Sequence, residues 1–104
     1  MVKHIVMWQL KGFADGRSKD ENLELVKEKL EKLKLAINEI ITLDVGVNFN
    51  TGPAAFDIVL VTDFSNRQAL QIYQDHPAHL EVKEFLQKVR IERTVVDYEY
   101  DAGT

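Results

Sequence analysis

The sequence has 104 residues, enough for one domain, and 45% of them are hydrophobic, enough for a modest core. Its net charge of -4 excludes a typical nucleic-acid-binding domain, which would carry a basic patch. The sequence has no cysteine for a disulfide or a thiolate, and no run of about 18 apolar residues that could span a membrane. Residues 1–4 also lack the long apolar stretch of a signal peptide, so we expect a cytoplasmic protein without membrane or nucleic-acid partners.

The first third of the chain predicts a strand, a loop and a helix. Residues 2–10 are apolar at most positions of both alternating sets, which is typical of a strand buried on both faces. Residues 11–17 form the predicted loop. Ser18 and Glu21 have the spacing of a capping box, so a helix should begin there. The apolar stripe of this helix consists of Leu23, Val26, Leu30, Leu33 and Ile37.

The middle of the chain predicts two more strands, at residues 40–49 and 55–64, joined by a turn at residues 50–53. The later strand is apolar on both faces. One face carries Ile58 and Leu60, and the other carries Val59 and Val61.

The last third predicts two helices and a strand. Ser65 and the glutamine three residues later form a second capping box, which begins a short helix. Pro77 suits the first turn of a second helix, where its missing N–H costs nothing. Residues 92–100 are rich in Val, Thr and Tyr and form the last predicted strand. A single domain should therefore cover residues 1–100, with residues 101–104 as a C-terminal tail.

The element order β-α-β-β-α-α-β predicts a ferredoxin-like α+β fold. One antiparallel four-stranded sheet would carry its helices on a single face, with the first strand between the third and the fourth. Because the strands are apolar on both faces, the second face should be covered by another copy, which makes a symmetric homodimer. The faces predicted to lie in this interface carry Ile5, Met7, Ile58, Leu60 and Val96.

Polar side chains are concentrated in residues 73–79, and the predicted topology adds others to them. We expect the third strand to run parallel to the first and the fourth to run antiparallel, which would bring Asp57 and Asp97 to the sheet end of His4. The short helix should return to the same end. The predicted mouth between helices and sheet therefore holds six polar side chains, His4, Asp57, Tyr73, His76, His79 and Asp97.

Two of these residues form a candidate acid–base pair. His79 would lie in the first turn of a helix, whose positive end keeps the imidazole neutral and able to accept a proton. Tyr73 could donate a hydrogen bond to a substrate carbonyl or enolate, and Asp97 could orient the His79 ring. In the structural alternative, His79 caps its helix and Tyr73 packs in the core.

The remaining histidines and Asp57 have binding roles or structural ones. His76 beside the proline suits helix capping. Asp57 could pair with His4, or simply begin a strand near water. A metal held by two histidines and an aspartate is disfavoured by the proline between the histidines and by the lack of a second His-rich element. The sequence has no phosphate loop, Ser-His-Asp triad pattern or dinucleotide fingerprint, so we expect no metal and no cofactor.

Four stretches together carry a resemblance to a known family. They are Val2-Lys3-His4-Ile5-Val6, Val45-Gly46-Val47-Asn48, Tyr73-x-x-His76-Pro77-x-His79 and Val96-Asp97-Tyr98. They resemble the stress-responsive dimeric α/β barrel (Dabb) domain over nearly the whole chain. The resemblance implies a ferredoxin-like homodimer with a central barrel, a homodimeric α/β barrel.

The resemblance extends to polyketide cyclases of the olivetolic acid cyclase type. It implies that Tyr73 and His79 match the catalytic pair of those enzymes, and that His4 and Asp97 match polar pocket residues. Asp57 stands where those enzymes have a further pocket histidine. The prediction is a small-molecule-binding dimer, acting as a cofactor-independent cyclase or isomerase on a carbonyl compound. The alternatives are a non-enzymatic stress-responsive or structural dimer and a cofactor-independent monooxygenase.

Overall fold

The computed structural model describes residues 1–103. The strands are β1 (Val2–Leu10), β2 (Phe13–Ala14), β3 (Arg17–Ser18), β4 (Thr42–Val47), β5 (Ile58–Phe64) and β6 (Arg90–Glu99). The helices are α1 (Lys19–Ala36), α2 (Arg67–Asp75) and α3 (Pro77–Val89). In the predicted tail, residues 101–103 lie outside any helix or strand, and Thr104 lies outside the described residues. None of these three helices is both long enough and apolar enough to cross a membrane.

The main sheet confirms the predicted ferredoxin-like fold. Its strand order is β4-β5-β1-β6, every neighbouring pair is antiparallel, and β1 lies inside the sheet as expected. Along β1, buried positions alternate with half-buried ones. The buried set packs under the helices, because it joins the core formed by the apolar stripes of α1, α2 and α3. The opposite face of the sheet carries no helix in the part of the chain that is described.

Local sequence signals placed two of the three helix starts correctly. The Glu21 N–H donates to Ser18 Oγ at 3.2 Å and the Ser18 N–H donates to Glu21 Oε1 at 3.0 Å, which completes the predicted capping box. Pro77 is the first residue of α3, as predicted. The capping box at Ser65 is wrong. The cap of α2 is Asn66, whose side-chain oxygen accepts from the Ala69 N–H at 2.8 Å and so begins the helix one residue later.

The predicted loop at residues 11–17 contains a small hairpin, formed by β2 and β3. Its two turn residues, Asp15 and Gly16, have φ of 54° and 76°, as a tight two-residue hairpin requires. The side chain of Asn22, which is fully buried on α1, donates to the Ala14 carbonyl at 3.0 Å. Two-residue strands are too short to show an alternating apolar pattern, so the sequence did not predict this hairpin. The Asn22 hydrogen bond that stabilises it comes from a different element, α1.

The direction predicted for β5 is wrong, and the error moves Asp57. β5 runs antiparallel to β1, with Trp8 opposite Ile58, so Asp57 lies beside the end of β1 that is far from His4. At about 3.3 Å per residue, that end is roughly 20 Å from His4. The Leu10 N–H donates to Asp57 Oδ2 at 2.8 Å, and Lys19 Nζ lies 3.4 Å from the same oxygen. Asp57 therefore joins strand to helix and does not pair with His4.

The predicted interface is also wrong at two positions. Ile58 and Leu60 lie opposite Trp8 and Val6 and are buried beneath the helices. Opposite residues of an antiparallel pair share a sheet face, so the helix-free face carries the other set. Its apolar members are Ile5, Met7, Val59, Val61 and Val96.

Candidate functional site

His4 and Asp97 form a side-chain pair on the helix side of the sheet. They lie directly opposite each other on β1 and β6, and Asp97 Oδ1 accepts a hydrogen bond from His4 Nδ1. His4 is 1% exposed, while the Asp97 side chain keeps 39% of its surface. The His4 ring packs edge-on against Tyr73, with ring centroids 5.9 Å apart. The pair thus fixes the orientation of the imidazole and directs its other edge away from β6.

The junction between α2 and α3 brings Tyr73 and His79 together. Tyr73 lies in the last turn of α2, and His79 lies in the first turn of α3. Because a single residue, His76, separates the two helices, the chain turns sharply and the two rings meet. Their centroids are 4.6 Å apart. The contact brings together an imidazole and a phenol, the two side chains that the sequence motif predicted as a candidate acid–base pair.

A backbone carbonyl determines the tautomer of His79. His79 Nδ1 lies 3.0 Å from the Gln74 carbonyl oxygen, which can only accept, so Nδ1 carries the proton and Nε2 keeps its lone pair. Burial lowers the pKa of His79, and the positive charges of Lys83 and Arg93 lower it further, against the opposing effect of the Gln74 hydrogen bond. The ring is therefore neutral near pH 7 and can accept a proton at Nε2. The predicted orienting role of Asp97 is wrong, since Asp97 contacts His4 instead.

The Tyr73 hydroxyl has no hydrogen-bond partner among residues 1–103. Tyr73 is 1% exposed as a residue, but it belongs to the lining of a cavity. Burial raises the pKa of Tyr73, and the nearby charge of Arg93 offsets only part of that effect. The phenol therefore remains protonated and has a proton to donate into the space in front of it.

That space is a cavity of about 490 Å³ between the sheet and the α2–α3 pair, a typical volume for a small-molecule site. His4, Tyr73 and His79 lie in its wall. The apolar part of the lining is formed by Val6, Trp8, Leu30, Leu60, Leu80, Val82 and Leu86. The polar part is formed by Gln71, Gln74, Asp75, Lys83, Gln87, Arg90 and Arg93. A small molecule with an apolar body and a few polar groups would match both parts of the lining.

The structure brings together only some of the six predicted site residues. His4, Tyr73 and His79 line the cavity, and Asp97 contacts it only through His4. His76 is the cap of α3, where its Nδ1 accepts from the Ala78 N–H at 3.0 Å, and it does not line the cavity. The capping role that the sequence favoured for His76 is confirmed.

Sequence reasoning missed two groups that shape this site. The Gln74 carbonyl orients His79, and a backbone acceptor has no side-chain signature in a sequence. Arg93 lines the cavity, and the sequence did hold a signal for it. Arg93 and Asp97 are four residues apart on one strand, so they share a face, and placing one at the site places the other on the same side.

Comparison with known proteins shows which family model and which solved structures the chain is similar to. The family model described as the stress responsive A/B barrel domain matches residues 2–100. A dimeric protein of unknown function with a ferredoxin-like fold, from Bacteroides fragilis NCTC 9343, is similar at 32% sequence identity, with 95% of each chain covered and a TM-score of 0.81. A comparison with curated proteins gave no match.

More distant solved structures share the fold. A dimeric ferredoxin-like protein of unknown function from Thermobifida fusca is 24% identical, with 95% of this chain and 90% of that chain covered and a TM-score of 0.80. A hydroxynitrile lyase from Passiflora edulis is 18% identical, with 99% and 95% covered and a TM-score of 0.78. At such identities the likeness concerns the fold alone.

Proposed function

This chain belongs to the stress responsive A/B barrel domain family, and we propose that it binds a small carbonyl compound and abstracts a proton beside the carbonyl without a cofactor. One observation carries the proposal. The lone pair of His79 Nε2 and the unpartnered hydroxyl of Tyr73 belong to touching rings in the wall of one cavity. A base and a hydrogen-bond donor in contact are what enolisation of a carbonyl compound needs.

The proposed reaction begins with a proton transfer. Nε2 of His79 takes a proton from the carbon next to the substrate carbonyl, and the electron pair of the broken C–H bond moves to the carbonyl oxygen. The Tyr73 hydroxyl donates a hydrogen bond to that developing enolate oxygen. The apolar lining keeps water away, which strengthens both interactions. His4, held by Asp97, packs against Tyr73 and restrains the phenol as a positioning residue.

The enolate then has two balanced outcomes. In an isomerisation, the imidazolium returns its proton to a different carbon of the same substrate. In an aldol cyclisation, the enolate carbon forms a bond to a second carbonyl carbon of the same molecule, and the resulting alkoxide takes the proton. The second outcome is the chemistry of the polyketide cyclases that the chain resembles. In those enzymes a further histidine lies in the pocket where this chain has Asp57, and Asp57 is outside the cavity here, so the substrate should differ.

The proposed functional unit is a homodimer formed through the helix-free sheet face. That face carries Ile5, Met7, Val59, Val61 and Val96, of which Val96 is 54% exposed. A contiguous apolar face of this kind on a soluble domain normally marks an interface. The Bacteroides fragilis relative is described as dimeric, which supports the same assembly for this chain. The cavity lies on the opposite side of the sheet, so assembly leaves its lining intact.

Proton exchange tests the proposed chemistry without knowledge of the natural substrate. Enolisable probes, namely linear diketones and keto lactones, are incubated with the protein in D2O, and deuterium incorporation beside the carbonyl is followed by NMR. We expect the protein to accelerate exchange and His79→Gln to reduce the acceleration by about 10²–10⁴, the usual contribution of a general base. Tyr73→Phe should slow exchange while the probe still binds, because the ring remains.

The matched control is His76→Asn, which removes a histidine three residues away but keeps a helix-capping acceptor. It should exchange the probes as fast as the wild type. Equal exchange rates for wild type and His79→Gln would show that His79 is not the base. Acceleration by none of the probes, together with a loss of folding stability in His79→Gln, would favour the structural reading of these residues.

A further inference from the structure

The charges at the cavity differ from those of the whole chain. The chain has a net charge of -4, but the cavity lining includes three cations, Lys83, Arg90 and Arg93, and a single carboxylate, that of Asp75. Asp75 already accepts a hydrogen bond from Gln71 at 3.1 Å. An acidic protein that collects cations at a cavity with an apolar lining offers a site for an anion.

Arg93 is a cation of the cavity lining that the sheet register places on the helix side. It lies opposite Trp8 on the neighbouring strand, and Trp8 is buried in the cavity lining, so Arg93 belongs to the same sheet face. No carboxylate of residues 1–103 lies within ion-pair distance of Arg93. Arg67, an exposed arginine at the start of α2, is by contrast paired with Glu99 of β6 at 2.5 Å.

A guanidinium without a protein partner retains its full capacity for an external anion. Its planar fork matches the two oxygens of a carboxylate and can donate two parallel hydrogen bonds. Lys83 and Arg90 flank the same cavity and raise the local positive potential. The apolar floor beneath, from Val6 and Leu60, would hold a hydrocarbon or aromatic body.

We propose that the ligand of this cavity is an apolar keto acid, whose carboxylate binds Arg93 while its ketone lies between Tyr73 and His79. The proposal rests on the proposed function, because it assigns the substrate class of the same site. Arg93 is then the specificity-determining residue, and acids are preferred over neutral analogues of equal size. The charges that lower the pKa of His79 are consistent with this placement, since Arg93 is one of them.

The test compares benzoylpropionic acid with its primary amide, which has the same shape and no charge. Trp8 is the only tryptophan and lies in the cavity lining, so quenching of its fluorescence reports occupancy directly. We expect the acid to bind about tenfold tighter than the amide, in line with a hydrogen bond to a charged group. Arg93→Gln should lower the affinity for the acid to that for the amide and leave the amide unchanged. Arg93→Lys should restore part of the preference.

The charge-matched control is Arg67→Gln, which removes one positive charge elsewhere on the surface. It should leave the preference for the acid intact. Equal binding of acid and amide by the wild type would overturn the keto-acid proposal, as would equal losses of preference in Arg67→Gln and Arg93→Gln. Failure of both probes to bind would also overturn the keto-acid proposal. If the protein still exchanged protons of neutral diketones in a His79-dependent way, the proposed function would stand without it. If the acid bound through Arg93 but His79→Gln did not change proton exchange, the anion site would be supported and the assignment of His79 as the base would be rejected.

Discussion

Two tyrosine hydroxyls of this chain should differ sharply in their contribution to folding stability. Tyr73→Phe should leave the free energy of unfolding unchanged, because its hydroxyl has no partner among residues 1–103. Tyr100→Phe should destabilise the fold, because its hydroxyl donates to the Asp63 carboxylate. That carboxylate also accepts from Thr42 and lies 3.5 Å from Lys3 Nζ, so it is the centre of a polar network between three strands and the C-terminal segment.

The expected magnitudes follow from these contacts. The Tyr100 hydroxyl donates to an ionised carboxylate, and such a bond is stronger than one between neutral groups, so its loss in Tyr100→Phe should lower the unfolding midpoint measurably. Solvent at the partly exposed Tyr100 weakens the bond and keeps this loss modest. Tyr73→Phe breaks no hydrogen bond and removes no ring contact, so we expect a change within about 0.5 kcal/mol.

The measurement is urea unfolding of the wild type and both variants at one protomer concentration, since a dimer unfolds at a midpoint that depends on concentration. An unchanged slope with a shifted midpoint identifies a change in stability. A loss of about 1.5 kcal/mol in Tyr73→Phe would mean that its hydroxyl is bonded in the assembled protein, and its proposed role as a donor to substrate would then be refuted. No loss in Tyr100→Phe would refute the assignment of its bond to Asp63.

Three further predictions concern other parts of the molecule. Because the pKa of folded His79 lies below its ordinary value of 6.5, the unfolded chain binds more protons under acidic conditions, so stability should rise with pH up to about 6.5 and His79→Gln should flatten that rise in urea titrations. Val61→Arg should produce a monomer in sedimentation, and an intact dimer of this variant would contradict the proposed interface. Leu60→Ala should remain dimeric but lose about 2–5 kcal/mol of unfolding free energy, because Leu60 is buried beneath the helices. Ser18→Ala should lose about 1 kcal/mol in the same unfolding assay, and an unchanged midpoint would refute the contribution of the capping box.

The element order was predictable because its signals are local. The Ser18 cap, the proline at the start of α3 and the apolar stripe of α1 each depend on residues within a few turns of one another. Strand direction is a non-local property, and the prediction for β5 failed at that level. The correct rule was nevertheless available. A helix returns the chain so that β4 runs parallel to β1. The ten-residue connection at residues 48–57 then reverses it, which makes β5 antiparallel to β1 and carries Asp57 to the far end.

The assignment of sheet faces failed for a different physical reason. A strand that is apolar at every position does not indicate which alternate set faces the helices, because both sets bury equally well. Only the register against a neighbour decides it, here Leu60 opposite Val6. The site was partly predictable because two of its residues are close in sequence. Tyr73 and His79 belong to one short motif, so their contact needed only the helix junction, whereas the partner of His79 required the position of a backbone carbonyl.

The outer strand β6 borders both the cavity and the proposed dimer interface. The helix-side positions of β6 remain exposed, because β6 lies at the edge of the sheet, and they include Arg93, Val95 and Asp97. This side of β6 therefore borders the cavity and solvent instead of the core. Asp97 can hold His4 there, and Arg93 can line the cavity. The alternate positions, Val96 among them, lie on the helix-free face. Substitutions along β6 should therefore affect binding and assembly in strict alternation, because the pleat sends neighbouring side chains to opposite sides of the sheet.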